Sequence, residues 1–184
     1  PECYTLTEQQ LCDIMVKELT EGMEGTGVRA TVIGEIGTSK DITETEAKVF
    51  RAASRAHAET GAPICTHTTL GTRGLEQLEI FKSFGVDLSR VVLSHIDLSA
   101  DLDYMKRLLD QGVTIGKCNY QPDVSRADWL SRLCAEGYDT QIVMSMDITR
   151  RSNFADRGGV GYSYLLDTFV PLASEAGVPD RAWE

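Results

Sequence analysis

The chain lacks long apolar runs, a charged-then-apolar start, any C-x-x-C pair and any cluster of basic residues. Without an apolar run of about 18 residues no membrane-spanning helix is expected, and no secretory leader is read at its start. The 18 Lys and Arg are scattered among 28 Asp and Glu, for a net charge of −10, so nucleic acid is not an expected partner. Five cysteines (Cys3, Cys12, Cys65, Cys118, Cys134) are odd in number and unclustered. Reduced thiols and a cytoplasmic setting are therefore expected, not a disulfide framework or a thiolate zinc knuckle. With 42% apolar and 25% charged residues, disorder, collagen and coiled coil are excluded. At 184 residues the chain can bury a core, yet it falls short of the roughly 200 to 250 residues of a closed α/β barrel.

What is present is a regular alternation. Thr7 and Gln10 have capping-box spacing before a helical stripe of Leu11, Ile14, Met15 and Leu19 that stops at Gly22, and Thr43 with Glu46 repeats the signal before Val49, Phe50, Ala53 and Ala56. Further helices are predicted around Leu75 to Phe81, Leu102 to Leu109, Trp129 to Cys134 and Leu165 to Leu172, the last kinked by Pro171. Between them, short apolar runs predict strands over 30–35, 63–67, 91–95 and 141–147, with a weaker one over 113–116. Six helices alternating with five strands describe repeated βα units on a parallel sheet, in one domain over 1–184 with no linker. An open doubly wound sheet and part of an eight-stranded (β/α)8 TIM barrel both satisfy this pattern.

The predicted strand ends carry the chemistry. Glu35, His67, His95 and Asp147 terminate four of them, one, one and two βα units apart, and so fall on one rim. In α/β folds that carboxyl-end rim binds ligands. Singly, each residue has an ordinary reading: a hydrogen-bonded rim His, a helix-dipole partner for Glu35, an N-cap for Asp147. Together they are the ligand types that suit zinc and similar divalent ions, which make hydroxide available near neutral pH. Arg150 and Arg151 follow on the same rim loop and could orient a carboxylate or phosphate, or simply be solvated. His57 points with the packing stripe of its helix and is read as packing. Gly34 and Gly37 lack the spacing of a phosphate-binding loop, which leaves an open-sheet nucleotide binder without support.

Four stretches, Gly34 to Ser39, Thr66-His67-Thr68, Ser94-His95-Ile96-Asp97 and Ser145 to Ser152, resemble the phosphotriesterase-related branch of the phosphotriesterase family, within the amidohydrolase superfamily. The resemblance implies a barrel of which this chain covers about five strands and six helices, its first strands preceding Pro1. It also implies a binuclear centre of two divalent ions, zinc being expected, with a bridging hydroxide as nucleophile. His67 and His95 would ligate one ion, and Glu35 would bridge where many relatives carry a carboxylated lysine. Asp147 would ligate the other ion and move the proton. The implied activity is hydrolysis of an ester-like bond in a small molecule (phosphotriester, lactone or acylated compound), aryldialkylphosphatase-like or lactonase-like, and a homodimer is compatible with it. The chain departs from the family in having no H-x-H pair and in carrying only Val113 between Gly112 and Thr114-Ile115-Gly116-Lys117. The first departure leaves a competing reading, a non-catalytic ligand- or metal-binding protein on a degraded barrel.

Overall fold

Helix starts follow from local chemistry. Thr7 accepts a hydrogen bond from the Gln10 N–H while the Gln10 side chain accepts from the Thr7 N–H, and Thr43 and Glu46 form the same reciprocal pair. The computed structural model describes residues 2–117 and 123–183. In it a single turn, α1 (Glu2–Thr5), precedes α2 (Glu8–Thr20) and α3 (Glu44–Thr60), which these two boxes open. Next come α4 (Gly74–Ser83), α5 (Leu102–Leu109), α6 (Asp123–Ala135) and α7 (Val170–Glu175). The predicted kink at Pro171 is a change of winding: Leu165–Phe169 is wound as a π-helical turn, and Pro171 sits at the start of α7, where its missing N–H costs least. No described helix is long and apolar enough to cross a membrane.

The strands are β1 (Ile33–Thr38), β2 (Ile64–Thr68), β3 (Val91–Ser94), β4 (Thr114–Lys117) and β5 (Ile142–Met144). All four neighbouring pairs are parallel and the spatial order is the chain order. A doubly wound sheet reverses its strand order at a switch point. This one does not, so the sheet is barrel wall. The short approach to β4 does not prevent it from pairing on both sides, with β3 and β5.

Alternation of side chains divides the sheet into two faces. Ile64, Thr66, Val91, Leu93 and Ile115 point to the helices and are buried with Phe50, Leu78, Phe81, Met105 and Leu108. Phe50 and Phe81 stack at 5.2 Å between ring centroids. Their neighbours Cys65, His67, Val92 and Ser94 face the other way and are only half-buried, and Val143 on β5 is 47% exposed. The core thus lies between sheet and helices, which leaves the inner face of the wall free for chemistry.

The predicted bounds of all five strands are corrected: β3 ends at Ser94, which leaves His95 just beyond it, and β4 begins and ends one residue later than predicted. β1 begins at Ile33 and continues to Thr38, so Glu35 lies inside the strand and not at its end. β2 begins one residue later than predicted and carries His67 as its penultimate residue. β5 is only three residues long, which puts Asp147 in the loop beyond it.

Candidate metal centre

The site begins with an irregularity in β1. Ile33 pairs with Ile64 and Ile36 with Thr66, so three steps along β1 match two along β2, which is a bulge. Gly34 makes it possible: its φ is +135°, and a Cβ there would lie 2.2 Å from the Cys65 carbonyl oxygen. The bulge absorbs the extra residue, so that Ile33 and Ile36 both face the helices although three positions apart, with Glu35 on the inner face. Gly37 follows on that face, where a Cβ would meet the Cβ of His67 at 3.2 Å, so glycine leaves the imidazole its room.

His95 follows β3 directly and adopts a left-handed backbone (φ 67°, ψ 16°), which costs a non-glycine residue roughly 1–2 kcal/mol. That turn folds its side chain inward. Glu35, His67 and His95 then converge from three successive strands. His95 Nε2 lies 3.6 Å from Glu35 Oε1 and His67 Nδ1 lies 3.9 Å from Glu35 Oε2. The two rings meet edge to face at 4.4 Å between centroids, and one donor atom from each residue falls within 4.8 Å of the others. The His95 side chain is 9% exposed; those of His67 and Glu35 are 42% and 44% exposed, open to a ligand.

The donors fit a divalent ion. Two imidazole nitrogens and a carboxylate are borderline ligands suited to zinc, and bonds of about 2.1 Å would place them roughly 3.4 Å apart around one ion. The observed separations run up to 4.8 Å, so side-chain rotations would draw the donors together around an ion. Burial, and then the neighbouring His95, push the His67 imidazole below its usual pKa against the opposing pull of Glu35 and Asp147. His67 is therefore neutral at pH 7, the form in which imidazole donates a lone pair.

Asp147 stands outside this trio. It has φ 47° and lines the same cavity, of about 260 Å³, with Glu35, Cys65, Ser94, His95 and Gly116. Arg150 and Arg151 are exposed on the following loop and are not part of that cavity's wall; the Arg150 N–H donates to Asn153 Oδ1. His57 packs as predicted: buried, its Nδ1–H donates to the Ala62 carbonyl and its Nε2 accepts from the Asp87 N–H.

Several residues at the site went unread in the sequence. Cys65 and Ser94 form its floor, with Sγ and Oγ 3.6 Å apart. Strand alternation could have found Cys65, two residues before His67. Gln77, on α4, hydrogen-bonds the strands from behind. Beyond His95, the buried Asp97 carboxylate lies 3.4 Å from the guanidinium of Arg126 on α6. Arg126 also contacts Asp123 at 3.2 Å and lies over the Phe169 ring at 4.7 Å.

The family model for the phosphotriesterase family matches residues 3–184. A phosphotriesterase homology protein of Escherichia coli K12 is 46% identical over 179 residues, covering 94% of this chain and 61% of that protein. A crystal structure of the phosphotriesterase homology protein from Escherichia coli, complexed with phosphate in its active site, superposes with a TM-score of 0.95 at 42% identity, over 99% of this chain and 65% of that one. An N-acetyltaurine hydrolase of Dictyostelium discoideum is 31% identical over 193 residues, covering 96% of this chain and 52% of that protein. A lactonase from Listeria monocytogenes superposes with a TM-score of 0.87 at 34% identity, over 92% of this chain and 53% of that one. The chain spans 52% to 61% of the length of these curated relatives.

Proposed function

The chain belongs to the phosphotriesterase family, and on that premise we propose that it forms the metal-bearing part of a hydrolase acting on an ester-like bond in a small molecule. The observation that carries this reading is the convergence of Glu35, His67 and His95, from three adjacent strands, to within 4.8 Å. Substrates of the classes named for its relatives are the natural candidates: a lactone, an acylated small molecule such as an N-acyl compound, or a phosphotriester.

His67 and His95 would hold one divalent ion through their imidazole nitrogens, and Glu35 would bridge to a second. Bound ions would polarise the scissile C=O or P=O and make the attacking water acidic enough to react near neutral pH. The Asp147 carboxylate, on the wall of the same cavity, would accept the proton that this water releases and pass it to the leaving group. Arg150 and Arg151, on the loop three and four residues further on, would orient an anionic part of the substrate.

In the intact protein, His95→Ala and Asp147→Asn should each lower kcat/KM for a lactone or N-acyl substrate at least about tenfold, since metal binding and proton transfer each supply that much or more. A smaller loss in either refutes the mechanism. A competing reading is a binding protein that holds an ion at Glu35, His67 and His95 without turning over a substrate. Elemental analysis separates the two: two ions per chain support the hydrolase, one supports the binding protein.

A further inference from the structure

β1 and β2 are joined from both sides at their carboxyl ends. On the inner face Glu35 and His67 lie 3.9 Å apart. On the outer face, between sheet and α4, the single amide of Gln77 spans the same two strands. Its Nε2 donates to Thr38 Oγ1 of β1 at 2.8 Å and to the His67 carbonyl of β2 at 3.0 Å, while its Oε1 accepts the Thr66 hydroxyl at 2.7 Å. Gln77, Thr38 and Thr66 are all buried. Two more hydroxyls extend the lacing: Thr69 donates to the Thr38 carbonyl at 2.8 Å, and Thr68 donates to the Ser94 carbonyl of β3, the residue before His95, at 2.7 Å.

Core packing does not account for this amide. Gln77 shares the buried face of α4 with Gly74, Leu78 and Phe81, where an apolar side chain would fill the space without hydrogen-bond demands. A satisfied buried hydrogen bond adds only about 1 kcal/mol, whereas each partner left unsatisfied costs about 1–3 kcal/mol. Such networks stabilise weakly and specify strongly. What they specify here is the register that β1 and β2 resume just past the bulge, over Ile36 to Thr38, after the ladder has slipped by one residue.

We propose that Gln77 is a positioning residue of the metal centre, its amide fixing β1 against β2 and thereby the separation of Glu35 and His67. The inference rests on the reading of those residues as metal ligands. Its test is titration of the metal-stripped intact protein with Co(II), followed by calorimetry and by the visible absorption band, with thermal unfolding of the metal-free protein in parallel. Gln77→Met, near in volume and without donors, should raise the Kd for Co(II) by about 10- to 100-fold, the usual effect of losing a partner that orients a ligand. Ser54→Ala removes another buried hydrogen bond, to the Phe50 carbonyl on α3. It should lower the unfolding temperature and leave the Kd within about twofold of the wild type, which separates positioning from plain stability. A rise of less than about fivefold in folded Gln77→Met overturns the inference alone. Should that variant not fold, Thr66→Val decides: a Kd raised about threefold or more supports the inference and a smaller change overturns it. A wild-type protein that binds no Co(II) overturns the metal reading, and this inference with it.

Discussion

Single residues at this site are constrained by contacts that differ in kind. Gly34 is constrained by backbone approach, so Gly34→Ala must push β1 away from the Cys65 carbonyl, rigid backbone that a Cβ would approach to 2.2 Å. We expect a loss of at least about 2 kcal/mol in urea unfolding, from strain at a special backbone geometry, together with weakened Co(II) binding. A variant with wild-type stability and affinity refutes the bulge as a requirement. Asp97 is constrained by charge. Its carboxylate and the Arg126 guanidinium are both buried, and Arg126 Nε and Nη2 have no hydrogen-bond partner among the described residues. Asp97→Ala should therefore cost about 3 kcal/mol by removing the buried partner of this cation and leaving it only the partly exposed Asp123. Lys82→Ala, which breaks the exposed pair with Glu79, should cost less than about 0.5 kcal/mol. Equal losses in these two variants would show that burial does not set the value of the pair.

At the scale of elements, the helices were readable because their signals are local. The Thr7 and Thr43 boxes each occupy four residues, and both form. Thr43→Ala should destabilise the protein by about 1 kcal/mol through loss of one satisfied N–H at the start of α3, measured by its urea midpoint; no shift would show that the cap contributes nothing. The strands were readable in number and order but less so in extent. A bulge is not periodic, so alternation could not place Glu35 inside β1, and the largely apolar segment 141–147 looks like a strand longer than the three residues that pair. The cluster of Glu35, His67 and His95 was legible all the same, since strand spacing alone brings them to one end of the sheet. Gln77 was not: in Gly-Leu-Glu-Gln-Leu-Glu it looks like a solvated helix residue, although its four-residue spacing from Phe81 puts it on the buried face.

For the whole molecule, the excess of acidic groups makes pH the relevant variable. The Glu8 carboxyl is held below its ordinary pKa of 4.5 by a hydrogen bond from Arg51, then by Arg55, against the opposing effect of burial. At Glu46 burial pushes upward, but hydrogen bonds from Ser39 and Thr43 outweigh it and the net shift is downward. A carboxyl with a depressed folded pKa contributes stability that is complete above its unfolded pKa and is lost as pH falls through the folded value. The unfolding temperature should thus hold between pH 7 and about 5 and fall below about 4.5, and Glu8→Gln should flatten that fall. An acid limb unchanged in Glu8→Gln would remove the α2–α3 ion pairs as its source.

The bulge in β1 also decides how this strand can vary in length. Replacement of Gly34 meets backbone whatever the new side chain. Its removal would instead set Ile33, Glu35 and Ile36 against Ile64, Cys65 and Thr66 one for one, with both isoleucines still toward the helices and Glu35 still inward. Descendants of this sequence could shed the residue more easily than exchange it, because a shortened β1 preserves which face each side chain occupies, whereas any side chain at this position collides with the Cys65 carbonyl.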